Sequence, residues 1–363
     1  MSRIIVFCVI LVLLFSCIKP KEIKPNLSQF NIDFKLDEWG CGEKFGLLKV
    51  SDSVYLYQIT DRNIRFKSIN DQSIEKVIEV PECYKSFDSK YKLYDIYPIS
   101  TSKLLVTCIE GYDFDFQFSL FDCKNQKIDT VYTFGLSDSV VFVGGSQGNI
   151  HCIYNEQSNS LFLEAVDYKI CDEKRMILDS HFVCHIDLDT RDYKFLDMKY
   201  PKNYRGKCDG LMSETCLFQE YEGDVLISFP VDEAVYRYDP LEKQVNDFTF
   251  GYFEHDPFLE GYFMDNTQEL NKEKFIYSRV FQDDSTNYFY RFYYEKAKTI
   301  KEMKPVGVAV FDENKEFIQT FSLSNTNLKN TINFSVMTDK GLLFIEDVDR
   351  DNDIVTLQYL RIS

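Results

Sequence analysis

From Phe30 onward, short apolar segments alternate with clusters of Asp, Asn, Gly and Lys, and long stretches with a 3.6-residue apolar period are nearly absent. Alternation of period two marks strands, because successive side chains of a strand point to opposite faces. A hairpin pattern recurs: an apolar strand, a polar turn, then a strand ending on an aromatic or aliphatic residue. It runs from Ile64 to Ile78, Leu120 to Phe134, Ile186 to Tyr200, Tyr236 to Phe250 and Val310 to Phe321, and a last hairpin joins Gly341–Ile345 to Ile354–Leu360. Equivalent positions lie about 55, 67, 50 and 73 residues apart, and each interval holds about four strands.

Six such units predict an all-β chain folded as a six-bladed β-propeller of four-stranded antiparallel blades. The expected blades span 47–80, 94–134, 149–198, 216–250, 274–323 and 333–362. Phe30, Ile32, Phe34 and Leu36 alternate strictly and predict a lone N-terminal strand that completes the last blade, closing the ring and removing an open edge. A pair of β-sandwiches or an irregular barrel is the alternative. Its best support is the sparse glycine, 15 in 363 residues.

The N-terminus has a different texture. Arg3 precedes an apolar run of 12 residues, Ile4 to Phe15, too short to span a bilayer, which takes roughly 18 to 20. This is the pattern of a signal peptide. Leu14-Phe15-Ser16-Cys17 resembles the bacterial lipobox, and that resemblance implies cleavage before Cys17, acylation of Cys17 and a lipid bilayer as partner; an ordinary secretory signal with an incidental Cys is the alternative. Residues 1–16 are then signal, 17–29 a polar Pro-interrupted tether and 30–363 one propeller domain. Neither an Asp next to Cys17 nor an acidic cluster follows. By resemblance to gram-negative lipoproteins this favours an outer-membrane anchor with the domain facing the periplasm, and leaves surface display open.

Composition narrows the partners. The chain carries 58 acidic against 41 basic residues, a net charge of −17. An acidic surface repels polyanions, so nucleic acid is excluded as a partner. Nine cysteines remain beyond Cys17, an odd number, and several sit in apolar runs such as Val106-Thr107-Cys108-Ile109, where a thiol acts as a small buried hydrophobe.

The segments Gly223-Asp224-Val225-Leu226-Ile227-Ser228-Phe229-Pro230, Val235-Tyr236-Arg237-Tyr238-Asp239, Asn287-Tyr288-Phe289-Tyr290-Arg291-Phe292 and Val308-Ala309-Val310-Phe311-Asp312-Glu313-Asn314 resemble, in order, a domain-of-unknown-function lipoprotein family of gut and oral gram-negative anaerobes. That family is of the TolB-like six-bladed β-propeller type. The resemblance implies a fold and an anchor, and carries over no catalytic residue.

Candidate chemistry is thin. His181 and His185 fall four apart on a strand, about 13 Å, too far for one metal ion. Asp347 to Asp353 superficially matches a calcium loop, but counted from Asp349 it has Ile354 where Gly is needed and Leu360 where Glu is needed, so it predicts an exposed hairpin turn. No GxSxG, Walker, HExxH or Rossmann pattern occurs, so neither metal nor cofactor is expected. The run Tyr288 to Tyr294 brackets Arg291 with aromatics. Arg291, with Tyr290 and Tyr293, is suited to a sugar ring or a carboxylate-bearing ligand; the alternative is inter-blade core capped by Arg291. In the loop Tyr204 to Gly210, Arg205 and Asp209 are candidates to line the central mouth. The expectation is a noncatalytic binding or scaffold module for a glycan, peptide or envelope protein. The other reading, a carbohydrate hydrolase or lyase, requires Arg291, Tyr293 and two carboxylates on one axial pocket.

Overall fold

The computed structural model describes residues 24–36, 44–60, 63–79, 91–110, 115–134, 140–142, 152–167, 181–201, 216–229, 232–251, 276–283, 285–294, 306–323 and 335–362. These form 25 strands in six antiparallel sheets arranged as a propeller. β1 is Pro25–Asp33. Blade one is β2 (Lys44–Val50), β3 (Ser53–Ile59), β4 (Asn63–Ser68) and β5 (Glu75–Glu79). Blade two is β6 (Tyr91–Pro98), β7 (Lys103–Glu110), β8 (Asp115–Asp122) and β9 (Lys127–Phe134). Blade three has a first strand in two pieces, β10 (Val140–Phe142) and β11 (Cys152–Asn155), both paired with β12 (Ser160–Asp167), then β13 (Val183–Asp187) and β14 (Tyr193–Phe195). Blade four is β15 (Leu217–Tyr221), β16 (Asp224–Phe229), β17 (Asp232–Asp239) and β18 (Gln244–Asp247). Blade five is β19 (Ile276–Asp283), β20 (Tyr288–Tyr294), β21 (Val306–Phe311) and β22 (Phe317–Leu323). Blade six is β23 (Val336–Thr338), β24 (Gly341–Asp349), β25 (Ile354–Ile362) and, on its outer edge, β1.

The packing follows from where each strand sits in its blade. A middle strand such as β16 is buried at every position, because neighbouring blades cover both its faces. Six hydrophobic clusters fill the six junctions between blades. The one around Ile32, Phe34, Leu56, Leu343 and Leu357 joins blade six to blade one and so closes the ring. The expected closing strand is thus present. It begins at Pro25, inside the stretch read as tether, because its first residues pair main chain to main chain with β25, Pro25 opposite Ile362, while their side chains stay exposed and show no alternation.

Within the blades the third-to-fourth hairpins share one device. Asp122, Asp187 and Asp239 each end a strand and Asp312 directly follows one, and all four accept hydrogen bonds from backbone N–H groups two to four residues on. Left-handed turn residues follow at Gln126, Arg191, Lys243 and Lys315. These hairpins and the first-to-second turns lie on one face of the ring, here the turn face. The acidic segment Asp347 to Asp353 is the hairpin turn expected of it: Asp349 accepts from Asn352, and Asp353 takes the Phe34 and Leu36 N–H groups, pinning the chain leaving β1.

Candidate functional site

The first strands of all six blades line the ring's axis, and among the described residues they enclose a cavity of about 380 Å³. Its wall takes residues from β2, β6, β11, β15, β19 and β23, and it reaches Ile99 and Glu222 in first-to-second turns, so it opens toward the turn face. Tyr57, Tyr97, Tyr154 and Tyr221 line it, and Lys49, Glu220, Glu222 and Arg279 are its ionisable groups besides these phenols.

Three side chains on that wall stand out because their buried polar atoms have no protein partner. They are Arg279 (Nε and Nη2) and Gln282 (Oε1) on β19, and Gln219 (Oε1) on the adjacent β15. Arg279 is only 9% exposed. Desolvation lowers its pKa, offset in part by Tyr97 and Tyr57. Burial likewise pushes the Tyr97 phenol up, and desolvation together with Glu156 pushes the Glu220 carboxyl up. An ion or polar group buried without a partner costs stability, and this cluster concentrates that cost on the cavity wall.

The residues singled out in the sequence lie elsewhere. Arg291, 2% exposed, donates from Nη2 to the Phe229 carbonyl at 2.9 Å, from Nη1 to that of Glu233 at 3.1 Å and from Nε to that of Ser278 at 3.3 Å. It ties blade five to blade four. Tyr290 packs into the junction of blades five and six, its hydroxyl donating to Asp283 at 3.4 Å, and Tyr293 packs into that of blades four and five. None of the three lines the axial cavity. Arg205, Asp209 and Cys17 lie outside the described residues. The axial cavity does combine an arginine with two carboxylates, but the arginine is Arg279. Sequence reasoning missed it; the available signal was an Arg inside a short apolar strand, Ile276 to Phe281, at the start of a blade.

Other chemistry-bearing residues are structural. Cys108, Cys123, Cys152, Cys184 and Cys216 are buried thiols, and burial pushes that of Cys123 up to about 11; Cys41, Cys83, Cys171 and Cys208 fall outside the described residues. His181 meets Asp197 at 3.2 Å while His185 stacks on Phe162. Among the described residues no cluster of His, Cys, Asp and Glu is arranged to hold a metal ion.

Residues 121–320, from the third strand of blade two to the last strand of blade five, match the family described as Domain of unknown function (DUF4221). The chain belongs to this family. No curated protein matches the sequence. Among solved structures, this DUF4221 propeller is similar to an oligogalacturonate lyase in complex with manganese, at 12% identity and TM-score 0.46 over 88% of this chain and 77% of that one. An auxiliary nutrient binding protein from Bacteroides thetaiotaomicron is similar at 10% identity and TM-score 0.44, over 93% and 77% of the two chains. The PQQ-bound form of aldose sugar dehydrogenase from Streptomyces coelicolor is similar at 10% and 0.46, over 94% and 99%. No activity is carried from these proteins to this chain.

Proposed function

We propose that this DUF4221 propeller is the noncatalytic binding module of an envelope lipoprotein. Its axial cavity receives a small polar ligand or the end of a glycan or peptide, and an acylated Cys17 holds it at the outer membrane, facing the periplasm. One observation carries the reading: three side chains on the wall of a cavity to which every blade contributes, Arg279, Gln219 and Gln282, each hold buried polar atoms without a protein partner. The size suits the role, since small-molecule sites run from roughly 300 to 1,000 Å³. Anchoring and binding share one face. β1 starts on the turn face, and eight residues from Cys17 to Lys24 reach at most about 28 Å, so the mouth lies close to the lipid surface.

Two measurements test this. Metabolic labelling with a fatty acid is expected to tag the wild type and not Cys17→Ala; a tag that survives the substitution removes the anchor. A ligand retained from envelope extract by the immobilised protein is expected to be lost in the near-isosteric double variant Gln219→Leu, Gln282→Leu; equal retention removes the axial site. A second reading, a carbohydrate hydrolase or lyase, has one observation in its favour: the raised pKa of Glu220, on the same wall as Tyr97 and Arg279, suits a proton donor.

A further inference from the structure

We propose that the axial ligand carries a carboxylate, gripped by Arg279 through two nitrogens of one edge, together with hydroxyl groups that donate to Gln219 and Gln282, and that its class is a monosaccharide-sized sugar acid. The inference rests on the axial cavity being the binding site.

The argument begins with which atoms lack partners. On Arg279 they are Nε and Nη2. These two nitrogens lie on the same edge of the planar guanidinium, so their N–H bonds run parallel and match the two oxygens of a carboxylate. Arg291, one strand away, donates to three carbonyls and joins two blades; Arg279 stands on the cavity wall with this edge unpaired. The orphan atoms of Gln219 and Gln282 are carbonyl oxygens, which require donors. A ligand that completes the set therefore offers one planar anionic acceptor and at least two donors. A compact sugar bearing a carboxylate and hydroxyl groups supplies both needs, and the rings of Tyr57, Tyr97 and Tyr154 give its C–H faces an apolar wall. A phosphate fits less well. It brings more charge and more acceptor oxygens than one guanidinium edge meets, into a cavity whose other cation, Lys49, is outnumbered by Glu220 and Glu222.

The test is calorimetric titration of the full chain in detergent with D-glucuronate, D-galacturonate and D-gluconate, against D-glucose, D-galactose and glucose 6-phosphate. At least one acid is expected to bind roughly 30-fold more tightly than its neutral counterpart, the factor expected for a charge-assisted bidentate pair. Arg279→Met is expected to remove that advantage while leaving the melting temperature equal or higher, since it deletes a buried charge that lacks a protein partner; Arg279→Lys, which keeps the charge and loses the fork, is expected to weaken binding roughly 10-fold or more. Neutral sugars binding as well as the acids, with affinity lost in the Gln219→Leu, Gln282→Leu variant, would overturn the carboxylate and leave the binding site standing. Tighter binding of glucose 6-phosphate overturns it in favour of phosphate. No binding by any acid, or a lower melting temperature for Arg279→Met, overturns the assignment outright.

Discussion

His185 stacks face to face on Phe162, ring centroids 4.7 Å apart and 8° from parallel, with Tyr238 also against it. Desolvation pushes its imidazole down to about 4, with Lys194 and Lys243 adding to the effect and Asp187 opposing it. The native state therefore stays neutral while the unfolded chain takes up a proton near pH 6.5. Stability is full above that value and falls as pH drops from 6.5 to 4, by on the order of 3 kcal/mol for this one group. Urea unfolding at pH 7.5 and 4.5 is expected to show a loss 2 to 3 kcal/mol larger, in rough terms, for wild type than for His185→Phe, which keeps the stack and cannot titrate; equal losses would mean that His185 is hydrated. At this scale the sequence was a poor guide to the site. Aromatic neighbours drew attention to Arg291, but they are there because a strand inside a blade packs on both faces. Arg279 sits among ordinary strand residues, and its significance comes from what five other blades bring near it.

The hairpins were the most readable elements, because their chemistry is local. An Asp at the end of a strand captures the backbone of the turn that follows, so Asp122, Asp239 and Asp312 could be picked out without tertiary information. The scarcity of glycine, which spoke against a propeller, has the same origin. Left-handed positions are held by Ser51, Gln126, Asn159, Arg191, Glu222, Lys243, Asn287, Lys315 and Asp353, leaving few turns that require Gly. The split first strand of blade three had no such local mark. Where glycine is used inside a strand it answers to a neighbour: a Cβ on Gly307 would lie 2.1 Å from Cζ of Tyr293, its paired residue on β20. That ring is buried in the junction of blades four and five. Gly307→Ala is expected to destabilise by about 2 kcal/mol, read as a lower urea midpoint. Combining it with Tyr293→Leu should recover part of the loss, and simple additivity of the two changes would show that the ring does not make the clash.

At the scale of the whole molecule, the six blades were legible because each needs four strands whatever the length of its loops, and closure was legible because Phe30 to Leu36 alternate. The start of β1 was not, since an outer strand held by its main chain leaves no pattern in its side chains. Nine residue pairs join β1 to β25. A chain beginning at residue 34 loses all of them, together with Ile32 of the closing cluster, and leaves β25 as an open edge. It is expected to elute as aggregates in size exclusion with light scattering, while a chain beginning at residue 24 remains dispersed; identical profiles would show that closure does not depend on β1.

That pairing also couples the two ends of the propeller in time. Pro25 leaves the ribosome 337 residues ahead of Ile362, its partner. At roughly 5 to 20 residues per second, β1 waits on the order of 20 to 60 s before its seat exists. A product stopped short of β25 has nowhere to place its own first strand, so incompleteness at one terminus exposes apolar residues at the other. Until β25 is made, Ile32 and Phe34, buried in the closed ring, lack the cover of the blade that seats them.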